Sequence, residues 1–404
     1  MKKKNIIIKN GTLTMGGGEK VLVNILKNLN LNKYNITLLI DDDSGEENIF
    51  LEDIPKGIKV FFLRPLNWVK KVREYYEKKN KNIIEKIFYN YYLWKNVEIS
   101  KNKCIKYVEK LKKESGDIDL FIDFNGNARK YIDKLNVRKK IIWRHLSMAE
   151  YSNNQKRIQR YGNYAENYDI IIVICNNLKK EMINLLPNLE KKIKVAYNPI
   201  DFSENLEKSL TIEDLNEKER KLMEKDYILT VSRLDREKKD YKTLIEGYKL
   251  AKEKSFFHKL YIVGEGFGRS YIEKMIKDNN LENDIFLLGE KKNPYIWMKY
   301  CKFFVLSSKE EGFGLVLAEA MGLKKAVISS DCPVGPSEIL EEGKSGLLFP
   351  VGDKEKLMLQ LMELQKKPDI LMELEEKGYK RVKEFDMKNT IFKYEEIFDE
   401  IMER

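Results

Sequence analysis

The stretch Phe303-Phe304-Val305-Leu306-Ser307-Ser308-Lys309-Glu310-Glu311-Gly312-Phe313-Gly314-Leu315-Val316-Leu317-Ala318-Glu319-Ala320-Met321 decides the fold. An apolar run, two serines, a glycine-flanked turn and a segment rich in Leu and Ala predict a buried strand feeding a helix. Parallel α/β sheets use this unit to present backbone N–H groups to a ligand. Glu311 and Glu319 are eight positions apart, so with a helix beginning near Gly314 one sits in the turn and the other two turns along. Carboxylates accept hydrogen bonds from hydroxyls, and a nucleotide sugar offers hydroxyls at two ends with charge between. The bare spacing also fits a solvated loop Glu followed by a Glu on an amphipathic helix.

Upstream, the segment Tyr227 to Lys238 predicts a strand followed by Arg233 and Lys238. A planar guanidinium and an ammonium after a strand form a plausible diphosphate clamp, and ordinary surface charge fits the same residues. The glycines after Leu260 to Val263 miss the dinucleotide fingerprint, because its third glycine would fall at Arg269. Ile285 to Gly289 is a further strand, and downstream Ser337 is read as the N-cap of a short helix.

The first half opens with Ile6 to Ile8, then Gly11 to Lys20, whose Gly16, Gly17 and Gly18 enter a helix over Val21 to Leu29. Glycines there let a phosphate approach backbone N–H groups, although a plain strand-to-helix turn reads the same way. Apolar runs at Asn35 to Ile40, Lys59 to Leu63, Asp119 to Phe124, Lys140 to Trp143 and Ile170 to Cys175 predict parallel strands. Ligands bind outside the carboxyl ends of such strands, which puts His145 at a cleft; a capping or exposed histidine fits equally. Asp123 and Asn125 are weaker candidates for acceptor hydroxyls, and Asp41-Asp42-Asp43 reads as a solvated turn.

The segment Ser307 to Met321 resembles the signature of the retaining glycosyltransferases of family 4, which have the GT-B fold: α/β, two Rossmann-like domains facing across a cleft, with a C-terminal helix returning to the first. Gly16-Gly17-Gly18-Glu19-Lys20 resembles the family's GG-A-E-R/K loop with Gly18 in place of Ala, Asn198 to Asp201 its N-G-I-D strand end with Pro199 in place of Gly, and Asp331 to Leu340 a further family segment. The resemblance implies a Rossmann-like acceptor-binding domain at 1–202, a linker at 203–222, a Rossmann-like nucleotide-sugar-binding domain at 223–382 and a returning helix at 383–404. It implies donor contacts at Gly16, Gly17, Arg233, Lys238, Gly289, Glu311, Gly312, Phe313, Gly314, Leu315 and Glu319, with the loop Glu290 to Tyr295 near uracil. Arg233 and Lys238 would hold the diphosphate, Glu311 the sugar hydroxyls and anomeric region, Glu319 the ribose, and His145 the donor sugar, Glu311 and His145 being the candidate catalytic residues.

The expected activity is transfer of a hexosyl or N-acetylhexosaminyl group from a nucleotide diphosphate sugar, a UDP-sugar first, to a glycan or lipid-linked acceptor in cell-surface polysaccharide synthesis. No cofactor or metal is expected. The alternatives are a GT-B module that binds nucleotide sugars without transfer, or a UDP-sugar epimerase.

At 404 residues the chain is long enough for two domains with cores of their own. Its net charge of +11 raises nucleic acid or an anionic membrane as partners, but no nucleic-acid motif is present. Four scattered cysteines and two histidines offer no zinc spacing. The expected location is cytoplasmic, with the inner membrane face as a peripheral partner. That partner is suggested by Arg64 to Lys103, where 11 Lys/Arg face 4 Glu among many aromatics. Ile84, Ile87, Phe88 and Tyr91 recur there at helical spacing. The stripe either packs on the sheet or belongs to a membrane-facing helix.

Overall fold

The computed structural model describes residues 3–148 and 154–403. The first sheet has seven parallel strands: β1 (Lys4–Asn10), β2 (Tyr34–Asp42), β3 (Lys59–Arg64), β4 (Leu120–Asp123), β5 (Lys139–Arg144), β6 (Ile170–Val173) and β7 (Ile193–Val195). Their spatial order is β3-β2-β1-β4-β5-β6-β7. The second sheet has six: β8 (Tyr227–Val231), β9 (Lys259–Val263), β10 (Ile285–Gly289), β11 (Phe304–Leu306), β12 (Val327–Ser330) and β13 (Leu347–Phe349), ordered β10-β9-β8-β11-β12-β13. Helices cover both faces, so the strands are continuous apolar runs rather than alternating ones.

Strand order reverses at β1/β4 in one sheet and β8/β11 in the other, and such switch points open the crevices where ligands bind. The glycine loop follows β1, Arg233 follows β8, and Ser307 to Glu311 follow β11.

The C-terminal helix Met387–Glu403 packs on the first domain, as the GT-B arrangement requires. Its Tyr394 hydroxyl donates to the Tyr197 carbonyl at 2.6 Å, and its ring lies 5.1 Å from Trp143. The stretch expected as a linker carries helices Phe202–Lys208 and Glu217–Met223. Asp201 caps the first, and Asn216 with Glu219 forms a capping box on the second.

Asp41 is not in a solvated turn. It lies within β2, buried against Lys9 of β1 at 2.7 Å, while Asp42 at the strand's end pairs with Arg64 at 2.6 Å. Burial alone would raise the Asp41 pKa, but Lys9 and Arg64 bring it below the ordinary value. Asp123 is also fully buried, accepting from Tyr168 at 2.7 Å and the Ala128 amide at 2.9 Å, so it is closed to an acceptor.

Arg64 to Lys103 forms a helical hairpin, Leu66–Lys78 followed by the 33-residue helix Ile83–Ser115. Trp68 meets Tyr92 edge-on, and Tyr75 lies against both Phe88 and Tyr92. Those aromatics close the hairpin, so the isoleucine stripe does not pack on the sheet. Ile83 is 74 % exposed, Ile84 and Ile87 61 %, and Trp94 60 %. Among the described residues no helix is long and apolar enough to cross a membrane.

Candidate active site

Helix Leu315–Gly322 begins where expected, with Gly314 in the cap position at φ 87°, a left-handed conformation that favours glycine. Glu311 lies in the turn before it and Glu319 on its second turn. The Gly312 backbone touches the first domain: a Cβ there would lie 2.3 Å from the His145 carbonyl oxygen. Gly17 meets Leu315 across the same cleft, its Cβ position 3.4 Å from a Leu315 methyl. The two signature segments, some 300 residues apart, are therefore in van der Waals contact, and the close approach explains glycine at 312.

Around Glu319, Lys20 of the glycine-loop helix makes an ion pair at 2.5 Å, and the Tyr295 hydroxyl donates at 3.0 Å. Lys20 also contacts that hydroxyl, with its ammonium 4.8 Å from the Tyr295 ring centroid. Burial, then the Glu319 charge, pushes the Tyr295 pKa well above its ordinary value, keeping the phenol a donor. Around Glu311, Lys239 makes an ion pair and Ser308 donates at 2.6 Å. Ser308 is held in turn by Ser330, whose hydroxyl accepts from its amide at 2.8 Å and donates to its carbonyl at 2.7 Å.

Lys238 lies 3.4 Å from Glu310, and Arg233 is exposed, its guanidinium in no hydrogen bond or ion pair among the described residues, although its charge helps lower the Asp235 pKa. Gly16 precedes the helix Gly17–Asn28 in extended conformation. Gly289 ends β10 at φ 75° and accepts from the Gly264 amide at 2.9 Å. Phe313 is buried, edge-on to Phe385 at 5.1 Å, so its side chain joins the domains rather than facing the cleft. His145 is partly buried and its Nε2–H donates to the Phe124 carbonyl at 2.6 Å. Burial, with Arg144 nearby, lowers its pKa to about 4, leaving it neutral at pH 7 with Nδ1 as acceptor.

Lys20, Lys239, Ser308 and Tyr295 were not singled out from sequence. Lys20 closes the glycine-loop motif, so a signal existed; nothing in the run Arg236 to Lys239 distinguishes the lysine that turns to Glu311. The short helix over Gly335–Ile339 starts ahead of Ser337, with Val334 as its cap at φ 81°. Glycine is needed at the next position, because a Gly335 Cβ would lie 2.1 Å from the Phe313 carbonyl oxygen. One turn on, Glu338 crosses to the first domain. It accepts from the Asn176 and Asn177 amides at 2.8 and 2.7 Å and from Tyr197 at 2.7 Å, capping a helix whose own cap residue, Cys175, supplies no side-chain bond. No group of three or more His, Cys, Asp and Glu side chains among the described residues is arranged to hold a metal ion.

Residues 211–381 match the family model described as glycosyl transferases group 1. An uncharacterized glycosyltransferase, MJ1059, of Methanocaldococcus jannaschii is 29 % identical over 263 residues, covering 58 % of this chain and 64 % of that one. The N-acetylgalactosamine-N,N'-diacetylbacillosaminyl-diphospho-undecaprenol 4-alpha-N-acetylgalactosaminyltransferase of Campylobacter jejuni is 34 % identical over 218 residues, covering 53 % and 56 %. The chain thus spans under two thirds of the length of these relatives. Among solved structures, Anabaena HepE in complex with UDP-glucose superposes with a TM-score of 0.73 at 18 % identity over 98 % of this chain and 99 % of that one. TarM of S. aureus, in complex with fondaparinux, alpha-GlcNAc-glycerol and UDP, gives 0.72 at 16 % identity over 98 % and 100 %. Two parallel sheets facing across a cleft, with the signature segments in contact, thus accompany a match of residues 211–381 to the glycosyl transferases group 1.

Proposed function

We propose that the protein is a retaining glycosyltransferase that moves a sugar from a UDP-sugar to a hydroxyl of a glycan or lipid-linked acceptor in cell-surface polysaccharide synthesis. The observation that carries this reading is the pair of carboxylates after β11, each held by a lysine and a hydroxyl, with Lys20 reaching Glu319 from the facing domain and the exposed Arg233 following the neighbouring strand β8. Glu319 accepts from the ribose hydroxyls and Glu311 from the sugar hydroxyls near the anomeric carbon. Arg233 and Lys238 hold the diphosphate, aided by backbone N–H groups at the starts of helices Gly17–Asn28 and Leu315–Gly322. Each such helix end acts as roughly +0.5 charge. Charge grows on the diphosphate as the glycosidic bond breaks, so these fixed cations act most strongly in the transition state. The leaving phosphate takes the proton of the acceptor hydroxyl, which attacks the same face of the sugar. Neutral His145 serves as a hydrogen-bonding partner for the donor sugar.

The relatives named for N-acetylgalactosamine and N-acetylglucosamine transfer make UDP-N-acetylhexosamines the first donors to test. The unpartnered isoleucine stripe and the basic charge of the hairpin support peripheral attachment at an anionic membrane. Each Lys or Arg near such a surface contributes about 1 kcal/mol. The deciding experiment incubates the protein with UDP-GlcNAc, UDP-GalNAc and UDP-glucose, with and without EDTA, and follows UDP release and the anomeric configuration of the product. Turnover that survives EDTA, is abolished in Arg233→Ala and yields an α-linked product supports the reading. A β-linked product, or activity that returns only with Mn²⁺, overturns the retaining, metal-independent mechanism.

A further inference from the structure

A cavity of about 280 Å³ opens at the carboxyl ends of β1 and β2, between the sheet and the helical hairpin. Its walls include Thr12, Thr14, Asp42, Arg73, Tyr76 and Tyr89. We propose that it is an acceptor subsite that takes one uncharged pyranose ring of a saccharide with an apolar anchor; this rests on the glycosyltransferase reading.

The charges favour an uncharged ligand. Asp42 is neutralised by Arg64 at 2.6 Å, and Arg73 by a two-pronged contact with Glu47 at 2.7 and 2.9 Å. A phosphate or nucleotide would find no spare cation in that wall, whereas hydroxyls find carboxylate acceptors, threonine hydroxyls and guanidinium donors. Tyr76 and Tyr89 meet edge-on at 5.7 Å and bring aromatic surface, which suits the apolar C–H face of a pyranose. The volume lies near the lower end of small-molecule pockets, which matches a single ring rather than an oligosaccharide.

Position ties the cavity to the cleft. Thr12 donates to Glu19 at 2.8 Å, and the next residue, Lys20, reaches Glu319, so one loop walls the cavity on one side and meets the donor carboxylate on the other. Position also ties it to the apolar stripe. Tyr89 belongs to the same helix as the exposed Ile83, Ile84, Ile87 and Trp94, so a ring in the cavity leaves its aglycone room to run along that stripe.

The test uses methyl and octyl glycosides of glucose, galactose, GlcNAc and GalNAc, the octyl compounds below their micelle concentrations, with saturation-transfer NMR and calorimetry. At least one octyl glycoside should bind at least tenfold more tightly than its methyl counterpart. Tyr76→Ala and Tyr89→Ala, both at accessible positions, should each weaken it at least tenfold while UDP affinity stays within twofold. Ile84→Ser with Ile87→Ser should remove the octyl advantage and leave the methyl glycoside unchanged. If UDP binds but no glycoside does, or if the tyrosine variants bind like the parent, the subsite is refuted and the glycosyltransferase reading stands. If glycosides bind in the cavity while no UDP-sugar is turned over with them or hydrolysed, the acceptor assignment falls together with that reading.

Discussion

Replacing Lys20 by alanine removes the one cation that, among the described residues, joins the first domain to Glu319. Glu319 is 7 % exposed in its side chain and Lys20 28 %, so the pair is screened more than a fully buried one and less than a surface one. In the variant Glu319 keeps only the neutral Tyr295 donor. Losing a hydrogen bond to a charged group costs about 1.5–3 kcal/mol, below the 3–5 kcal/mol for splitting a fully buried pair. The ligand-free variant should therefore be destabilised by about that amount. Bound UDP should restore much of it, because the ribose hydroxyls donate to the bare carboxylate, so the thermal shift on adding UDP should exceed that of the parent. Turnover should move the other way. With the ribose on Glu319, Lys20 is free to face the diphosphate, where charge develops in the transition state, so kcat should fall roughly 10- to 100-fold, or ~1.4–2.7 kcal/mol. Differential scanning fluorimetry with and without UDP, alongside a UDP-release assay, separates the two effects. Parental values for both the thermal shift and kcat in Lys20→Ala would refute a role for the cross-cleft pair in donor handling.

Glu319→Ala should weaken UDP and UDP-sugar alike by roughly 10- to 100-fold in calorimetry, from charged hydrogen bonds of ~1.5–3 kcal/mol each, while Glu311→Ala should weaken only the UDP-sugar. Gly312→Ala puts a methyl 2.3 Å from a backbone oxygen that cannot rotate away, so the cleft must widen there; kcat/KM should drop by at least tenfold with little change in UDP affinity, and a parental rate would show that this contact is not required. His145 and His258 both have pKa values lowered to about 4, chiefly by burial, against about 6.5 in an unfolded chain. Between those values the unfolded state binds more protons, so stability should be lost as pH falls from about 6.5 to 4. For the buried His258 the loss is roughly 3 kcal/mol, and thermal unfolding of His258→Asn across that range should show a shallower slope.

The signature turn and most of the strands were legible because each rests on a local pattern: apolar runs, glycine at a forced conformation, carboxylates spaced by helix geometry; the returning helix followed from the family resemblance alone. What was not legible depends on distant partners. Lys9 inside an isoleucine strand looks like a solvated end until Asp41 arrives from β2, 32 residues on, and its carboxylate pairs with the ammonium. Lys239 could not be told from Lys238, because which of two adjacent lysines turns toward Glu311 depends on the approach of the β11 loop. The isoleucine stripe had the right period for either of its two readings. Only the aromatic clasp of Trp68, Tyr75 and Tyr92 on the other helical face leaves it uncovered.

Two carboxylates cross between the domains, and they differ in what could replace their partners. Glu338 takes all its donors from the first domain: two main-chain amides at a helix start, the Asn176 side chain and the Tyr197 hydroxyl. It is buried, and parting the domains there would break four hydrogen bonds to one carboxylate, with water left to replace the donors. Glu319 instead holds a lysine and a phenol, and ribose hydroxyls supply the same kind of donor as the phenol. Exchange at Glu319 therefore conserves hydrogen bonds, while separation at Glu338 does not. Any opening of the cleft that admits a nucleotide should pivot about Glu338 and begin at Lys20, so Glu338→Gln, which turns one of two accepting oxygens into a donor facing an amide N–H, should lower stability more than it changes UDP affinity.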